Sequence, residues 1–474
     1  MFETVLRHGR VGLCSGWEDC DIGISGGRIA ALGKGLSGER VLDASGHWVL
    51  PGGIDAHCHL DQPEWGGAAS ADGFDSGSRA ALVGGTTTII PFAMPAPGMT
   101  MTEGVARSLA LAEGRSHVDY GLHAVATPSS GPVAEQMPGL AAGGTPSVKA
   151  FMTYEGFALG DGPLLDLMQA ARDAGAVVMI HAENDAIIRF MGDRLRRLGH
   201  QALRYHALAH AEVAEREAIQ RIAALAEVTG ARVVIVHVSG RDGVQELVRA
   251  RARGIDLTGE TCPQYLFLTA ADLDRPLPEV LRHVFSPPPR GPGTAGALWQ
   301  ALAGGELALW SSDHSPCRLE DRFAPDAPQH FDRVVSGVPG LETRLPLLFS
   351  EGLLADRIDL PRYLDLAGGA AAGLYGLAAK GRIAVGADAD LVLWNPDRRW
   401  QVLGAGGQSR TGYSPFEGRW ITGRPETALL RGVPVLTDRQ IATTPRQGRF
   451  IPRPASASPP FNPPLEESAP WNAH

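Results

Sequence analysis

Cysteine is scarce in this chain, with 5 residues among 474. Their scattered positions and odd number disfavour a disulfide framework and favour free buried thiols. Long apolar runs are also missing, since none reaches the roughly 18 residues that a membrane helix needs. The first residues contain no basic segment followed by an apolar one, as a secretory leader would. These absences predict a cytoplasmic protein with no membrane partner.

Positive charge is not in excess, because 43 Lys and Arg residues face 52 Asp and Glu residues, a formal net charge of -9. A surface that binds a phosphate backbone needs the opposite balance, so we expect no nucleic-acid partner. A single hydrophobic core stops growing near roughly 250 to 300 residues. A chain of 474 residues therefore predicts one large domain together with a smaller one.

The middle of the chain alternates apolar, β-branched segments with helical stretches rich in Ala, Leu and Arg, as parallel βα units do. Eight such segments predict an α/β fold with a TIM-type (β/α)8 barrel over residues 51–380. An open doubly wound sheet has similar periodicity, but no GxGxxG motif follows the first segment. The segments are 49–59, 86–92, 119–126, 147–154, 176–183, 232–239, 255–263 and 307–315.

Both ends of the chain contain short strand patterns with glycine turns, in residues 1–50 and 381–442. They predict one small β-sandwich-like domain built from the two ends. Residues 443–474 are rich in Pro and Ser instead. This composition predicts a C-terminal tail with no core of its own, which stays loose or contacts a neighbouring subunit.

Several predicted barrel strands end in a side chain that can bind a metal ion or a proton. The carboxyl ends of barrel strands converge on one mouth, so residues far apart in the chain can meet there. A buried polar group must be paired, and metal coordination is one form of pairing. A single histidine at a strand end is more often hydrogen-bonded than metal-bound, and a single lysine is usually ion-paired, but the set together favours a metal centre. Its members are His57, His59, Lys149, His181, His237 and Asp313.

Lys149 is the unusual member of this set, because an ammonium group has no lone pair for a metal ion. Burial beside cations would lower its pKa and leave a neutral amine. That amine could add carbon dioxide to form a carbamate, a carboxylate-like group that can bridge two divalent ions. The sequence permits this reaction and does not require it.

The chain resembles the cyclic amidohydrolases of the amidohydrolase superfamily, specifically the hydantoinase and dihydropyrimidinase group. The resemblance extends over nearly the whole chain and implies a homo-oligomer, a tetramer, that acts on a small cyclic amide. It rests on many ordered motifs, among them GGIDAHCHLD, VKAFMTYEG, IHAEND, VIVHVSGRDGV, GETCPQYL, FSPPPR, SSDHSPC, SGVPGLETRLPLL and YSPFEG.

The resemblance implies a binuclear zinc centre. His57, His59 and Asp313 would hold one ion, and carbamylated Lys149 would bridge the two. The second ion would be held by His181 and His237. A metal-bound hydroxide would attack a ring carbonyl of a hydantoin, a dihydropyrimidine or a related cyclic imide.

The resemblance also implies roles for residues around the ions. Asp313 would take the proton of the nucleophile and return it to the ring nitrogen, and Tyr154 would donate to the oxyanion. Ser286 and Ser336, in the FSPPPR and SGVPG loops, are substrate-binding candidates, although many hydantoinases are expected to have asparagine in place of Ser336. Four aromatic residues could line a pocket for the ring substituent or simply pack in the core: Trp65, Phe92, Phe151 and Phe157.

Three other functions agree less well with the sequence. Dihydroorotases of the superfamily have an arginine where this chain has Asp61, whose charge would repel a carboxylate substrate. Allantoinase is the second choice, because SSDHSPC resembles the allantoinase form of this strand. A non-catalytic dihydropyrimidinase-like assembly protein would lack several metal ligands, whereas all six positions are filled here.

Overall fold

The structure is a computed structural model that describes residues 1–64, 68–323, 329–442 and 446–456. Its strands are β1 (Phe2–Arg7), β2 (Arg10–Leu13), β3 (Gly16–Asp19), β4 (Asp21–Ser25), β5 (Arg28–Gly33), β6 (Gly38–Asp43), β7 (Trp48–Pro51), β8 (Gly53–Cys58), β9 (Thr86–Ala93), β10 (Asp119–Tyr120), β11 (His123–Val125), β12 (Ser147–Phe151), β13 (Val177–His181), β14 (Val233–Ile235), β15 (Leu257–Thr261), β16 (Leu309–Trp310), β17 (Leu391–Gln401), β18 (Trp420–Leu430), β19 (Val433–Thr437) and β20 (Gln440–Ile441).

The α-helices are α1 (Phe74–Val83), α2 (Met101–Ala112), α3 (Val133–Ala142), α4 (Asp161–Asp173), α5 (Asp185–Arg197), α6 (His206–Ala209), α7 (Glu212–Thr229), α8 (Arg241–Ala252), α9 (Pro263–Phe267), α10 (Thr294–Gly304), α11 (Arg344–Leu348), α12 (Leu360–Leu364) and α13 (Ala370–Leu374). Short 3-10 helices cover Leu203–Tyr205, Ala270–Asp274, Glu279–His283 and Leu319–Asp321, and π-helical turns cover Phe349–Leu353 and Asp365–Gly369. Within the described ranges no helix is both long and apolar enough to cross a bilayer.

The central sheet is a nearly closed barrel of parallel strands. Its order is β8, β9, β11, β12, β13, β14, β15 and β16, and β10 also pairs with β9. A parallel bridge between Cys58 and His314 joins the first strand to the last, and the His59 backbone nitrogen donates to the His314 carbonyl at 2.8 Å. This closure confirms the predicted TIM-type barrel and is incompatible with an open doubly wound sheet.

Alternation along the strands decides which side chains face the barrel interior. In β13, Val177 and Met179 pack inside the barrel, whereas Val178 and Ile180 pack against the surrounding helices. His181 has the same parity as the two interior residues. In β12, Lys149 and the residues two positions before and after it also face inward. Strand alternation therefore places the side chains of both Lys149 and His181 inside the barrel.

One predicted strand is divided between the two domains. The segment predicted over 49–59 contains β7 in the small domain and β8 in the barrel, with Gly52 between them. A Cβ atom at Gly52 would lie 2.0 Å from Thr87 Oγ1, so only glycine allows this close approach to the next barrel strand. The segment predicted over 119–126 is also divided, into β10 and β11.

The small domain contains two sheets of mixed strands. One has the order β5, β4, β1 and β6, and the other the order β20, β19, β18, β17, β7, β2 and β3. The second sheet joins the two chain ends through the antiparallel pair of β7 and β17, in which Val49 lies opposite Leu393. Both ends therefore contribute to one domain, as predicted. The domain limits 1–50 with 381–442, and 51–380, stay predictions.

The first part of the C-terminal tail packs on the chain's own barrel rather than staying loose. The Tyr120 backbone nitrogen donates to the Arg449 carbonyl at 3.0 Å, and the Arg453 nitrogen donates to the Gly144 carbonyl at 3.0 Å. The Arg453 side chain is buried, and burial lowers its pKa to about 10. Of the predicted tail, 443–445 and 457–474 lie outside the described residues, and the proposed subunit contact stays a prediction.

Candidate active site

A cavity of about 840 Å³ opens at the carboxyl ends of the barrel strands. The predicted metal ligands all lie at this end: His57 and Lys149 lie within β8 and β12, His181 is the last residue of β13, and His59, His237 and Asp313 follow the ends of β8, β14 and β16. The convergence of strand ends therefore brings together side chains that are distant in the sequence. The cavity is lined by all six of them: His57, His59, Lys149, His181, His237 and Asp313.

Two imidazoles and one carboxylate form the first group. The possible ligand atoms of His57, His59 and Asp313 lie within 4.8 Å of one another. Asp313 Oδ1 is 2.9 Å from His57 Nε2 and 3.3 Å from His59 Nε2. Burial would raise the pKa of Asp313, but the two histidines hold it well below the usual value. Nitrogen and carboxylate donors this close are a typical ligand set for Zn²⁺.

His181 and His237 form the second group. Their rings meet edge to face with centroids 4.5 Å apart, and the His237 ring lies 5.5 Å from that of His57. Burial lowers the pKa of both imidazoles and keeps them neutral. His237 Nδ1 is buried without a hydrogen-bond partner. An unsatisfied buried nitrogen of this kind fits a metal ligand better than a packed core residue.

Lys149 is buried, and its amine lies over two phenylalanine rings. Its Nζ lies 5.1 Å from the ring centre of Phe92 and 5.0 Å from that of Phe151. Burial lowers the pKa of Lys149 to about 8, although Asp313 and Glu260 oppose the shift. The neutral amine is therefore accessible near physiological pH, as a carbamate-forming lysine requires.

Two buried glutamates support the histidines, and sequence reasoning missed both. Glu260 Oε1 lies 2.6 Å from His57 Nδ1, and Ser311 Oγ donates to Glu260 Oε2 at 2.8 Å. Burial would lower the pKa of His57, but Glu260 and Asp313 raise it to about 9. Glu183 Oε2 lies 2.7 Å from His181 Nε2. For Glu260 the available signal was a carboxylate within a predicted barrel strand, in GETCP.

We predict that Glu260→Gln weakens metal retention by about 10- to 100-fold, the usual effect of losing a partner that orients a metal-binding histidine. The amide keeps the size of the side chain and removes the charge that faces His57 Nδ1. Zinc retained during titration with a chelator measures the change. Glu279→Gln, at an exposed carboxylate paired with Arg275, is the matched control. Equal retention in wild type and Glu260→Gln would contradict this role.

Three candidate site residues have left-handed backbone conformations. The φ angles are 80° for Tyr154, 41° for His237 and 47° for Asp313. Each such non-glycine residue costs about 1 to 3 kcal/mol, which the surrounding structure must offset. The strain coincides with the ends of the barrel strands, where the chain turns while the side chains face the cavity.

The candidate substrate residues line the same cavity. The Tyr154 hydroxyl is hydrogen-bonded to the Ser286 side chain, and burial raises the pKa of Tyr154 well above its usual value. The tyrosine is therefore a protonated donor. Ser286 Oγ and Ser336 Oγ are 3.3 Å apart. The structure thus brings all three residues to one side of the cavity that holds the histidines.

The four aromatic candidates separate into different environments. Phe151 lines the cavity, whereas Phe92 packs edge-on against His57 with centroids 4.7 Å apart. Phe157 packs on Phe151 with centroids 5.7 Å apart. Trp65 lies outside the described residues.

Asp61 lies at the amino end of α1, not where it would meet a carboxylate substrate such as dihydroorotate. Its Oδ2 accepts a hydrogen bond from the Phe74 backbone nitrogen at 2.7 Å, at the amino end of α1, where a negative charge is favourable. The expected repulsion of a carboxylate substrate therefore has no basis in this structure. Position 61 still has no arginine to bind a carboxylate substrate, and this disfavours dihydroorotate.

Comparisons with known proteins agree with this geometry. Residues 48–435 match the model of the amidohydrolase family. The chain is 38% identical over 459 residues to the D-hydantoinase of Streptomyces coelicolor, covering 95% of this chain and 98% of that protein. It is 32% identical over 465 residues to the allantoinase of Bacillus licheniformis, covering 95% of this chain and 100% of that protein. A crystal structure of a D-hydantoinase superposes with a TM-score of 0.92 at 35% identity, covering 96% of this chain and 99% of that one. The chain is therefore an enzyme of the amidohydrolase family and belongs to the group that contains the hydantoinases and dihydropyrimidinases.

Proposed function

We propose that this enzyme opens a cyclic amide ring by hydrolysing a C–N bond of a hydantoin, a dihydropyrimidine or a related cyclic imide. The observation that carries the proposal is the convergence of the six candidate metal ligands on one cavity. The similarity to D-hydantoinases over 95% of the chain supports the choice of substrate class. A non-catalytic assembly protein has no need for this ligand set.

We further propose that the cavity binds two zinc ions. His57, His59 and Asp313 would hold one of them, and Lys149, as its carbamate, would bridge both. His181 and His237 would hold the second ion. Two observations support this assignment: the nitrogen and carboxylate atoms of the first group lie close together, and His237 Nδ1 has no hydrogen-bond partner. When bound, such ions lower the pKa of water and polarise carbonyl oxygens.

Asp313 has the properties of a proton shuttle. Its carboxylate is ionised, since its pKa is held well below the usual value, and Oδ1 lies between two imidazole nitrogens at the cavity wall. It can accept the proton of the attacking water and return it to the departing ring nitrogen. One carboxylate would thereby serve both half-steps of ring opening.

Tyr154 would donate a hydrogen bond from its hydroxyl group to the oxygen of the attacked carbonyl. We predict that Tyr154→Phe lowers turnover about 10²-fold or more, because losing one such donor typically costs about 2.7 to 4 kcal/mol of transition-state stabilisation. Steady-state kinetics measure the loss, and circular dichroism checks that the fold is retained. An unchanged turnover number would make Tyr154 a packing residue.

Allantoinase is the second candidate function. The motif SSDHSPC favours it, as does the 32% identity to an allantoinase over 95% of this chain. The higher identity of 38% to a D-hydantoinase favours hydantoin-type rings. A ring-opening panel of hydantoin, dihydrouracil, succinimide, phthalimide and allantoin separates the two. We predict the highest kcat/KM for a ring other than allantoin, and a clear preference for allantoin would reverse the order.

We also propose that the enzyme acts in the cytoplasm as a homotetramer, in which the tail over 443–474 contacts a neighbouring subunit in addition to the contacts that residues 446–456 make with the chain's own barrel. The Pro-rich composition of the tail and the resemblance to hydantoinases support this assembly.

A further inference from the structure

A second cavity, of about 280 Å³, lies between the barrel and the small domain. Residues 339–343 bound it on the barrel side, and β17, β18 and the loop 402–414 bound it on the other side. Among the described residues, none lines both this cavity and the one that holds the histidines. Its volume is close to the lower end of the range for ligand pockets, about 300 to 1,000 Å³, and suits a small ligand.

Arg424, in β18, lines this cavity with a guanidinium group that has no polar partner. It forms no ion pair or hydrogen bond with any residue that the structure describes, and its Nε atom is buried. Its Cζ lies 5.0 Å from the centre of the Trp400 ring, and that ring is fixed because Trp400 Nε1 donates to the Gly423 carbonyl at 3.1 Å. Stacking occupies the face of a guanidinium and leaves its in-plane N–H donors available to a ligand.

A second guanidinium group, that of Arg439, lines the same cavity. Burial and the charge of Arg424 lower the pKa of Arg439 to about 10. Its Nη1 donates to the carbonyls of Pro425 and Val83 at 3.3 and 3.5 Å, and its Nη2 is 3.9 Å from Glu342 Oε1, beyond hydrogen-bond distance. Two neighbouring positive charges repel each other, so this half-buried pair is favourable only where negative charge offsets it.

The carboxylates near the two arginines are already engaged elsewhere. Glu342 is the one carboxylate among the described residues that line the cavity, and its Oε2 accepts from the Gln408 backbone nitrogen at 2.8 Å. Glu426 accepts from Asn395 Nδ2 at 3.2 Å, and its other oxygen is 3.0 Å from His47 Nε2. Two guanidinium groups therefore share one carboxylate in the cavity, which leaves one positive charge in excess. Since a charge removed from water is favourable only when it is paired, the cavity favours an anion.

We propose that Arg424 and Arg439 form a binding site for a small oxyanion, a carboxylate or a phosphate, at the junction of the two domains. The planar guanidinium of Arg424 donates to two oxygens of the anion while its face stays on Trp400, and Arg439 supplies the second positive charge. The site lies behind the SGVPG loop, because Gly340 of that loop lines the second cavity, whereas Ser336 lines the first. Binding at this site does not depend on the ring-opening function proposed above.

Isothermal titration calorimetry of the full-length, zinc-loaded enzyme with inorganic phosphate and with succinate tests this site. Arg424→Gln should weaken the binding of at least one of these anions about tenfold or more, because losing a charge-assisted hydrogen bond typically has effects of this size. Arg399→Gln is the matched control, since Arg399 also lies over a tryptophan ring, that of Trp420 at 4.8 Å, but does not line the cavity. Anion binding to the zinc ions is common to both variants and does not affect the comparison.

Weaker binding in Arg424→Gln together with unchanged binding in Arg399→Gln supports the site, and the anion that shows the difference identifies the ligand as a carboxylate or a phosphate. Melting curves from circular dichroism check that the variants fold, and Arg439→Gln, with the same expected loss, replaces Arg424→Gln if the latter is unfolded. Unchanged affinity for both anions, or no binding to the wild-type enzyme, would overturn the proposal. An equal loss in Arg399→Gln would also overturn it, because the effect would then come from surface charge in general.

Discussion

Replacing Lys149 with alanine is expected to lower the rate of ring opening by about 10³-fold or more, since the loss of metal-dependent stabilisation amounts to several kcal/mol. The reason is that alanine removes the one lysine amine among the described residues that line the cavity. Short carboxylic acids such as acetate or propionate should restore part of the activity to this variant. They can occupy the space left by the side chain and replace the carbamate oxygens.

Steady-state rates measured with increasing acid concentration test this prediction. The wild-type enzyme serves as the control, because the proposed carbamate would already be present there and added acid should not stimulate it. Activity in Lys149→Ala without added acid, near the wild-type rate, would exclude Lys149 from the centre. Measurement of the zinc content of the same samples separates loss of metal from loss of chemistry.

Asp313→Asn is expected to give a folded, metal-bearing and nearly inactive enzyme. Asparagine preserves the shape of the side chain, but its amide cannot accept the proton that a shuttle must carry. It also removes the negative charge that lies 2.9 Å from His57 Nε2. Single-turnover and steady-state rates, compared at equal metal content, measure the effect.

Asp61→Asn is the matched control for this substitution. Asp61 lies close in sequence to His59, but its carboxylate accepts a hydrogen bond from the amino end of α1. The same chemical change there should leave turnover within about twofold of wild type, as expected for a residue outside the reacting centre. Retention of more than about a tenth of wild-type turnover in Asp313→Asn would show that another group moves the proton.

The sequence predicted the barrel and the placement of its polar strand ends because both follow from local patterns. Strand alternation places His181 on the same face as Val177 and Met179, and parallel strands bring their carboxyl ends to one mouth. The six side chains could therefore be assembled without knowing any distance between them. This part of the site could be predicted because the periodic spacing of apolar and polar residues can be read from a single sequence.

Other features depend on contacts between distant segments and were missed. Glu260 supports His57 across the barrel, and no pattern near either residue indicates that pairing. Asp61 was expected to repel a carboxylate substrate, whereas its carboxylate accepts a hydrogen bond at the amino end of the helix that begins at Phe74. Such contacts are set by tertiary packing rather than by local periodicity.

We propose that six side chains of this cavity hold a pair of metal ions. Elemental analysis of the purified protein, after incubation with zinc and bicarbonate and removal of free metal, measures how many ions they bind. We predict about two zinc ions per chain, as expected for a two-metal hydrolase site. A content clearly below about one ion per chain under these conditions would contradict the account, because one well-formed zinc site alone would bind that amount.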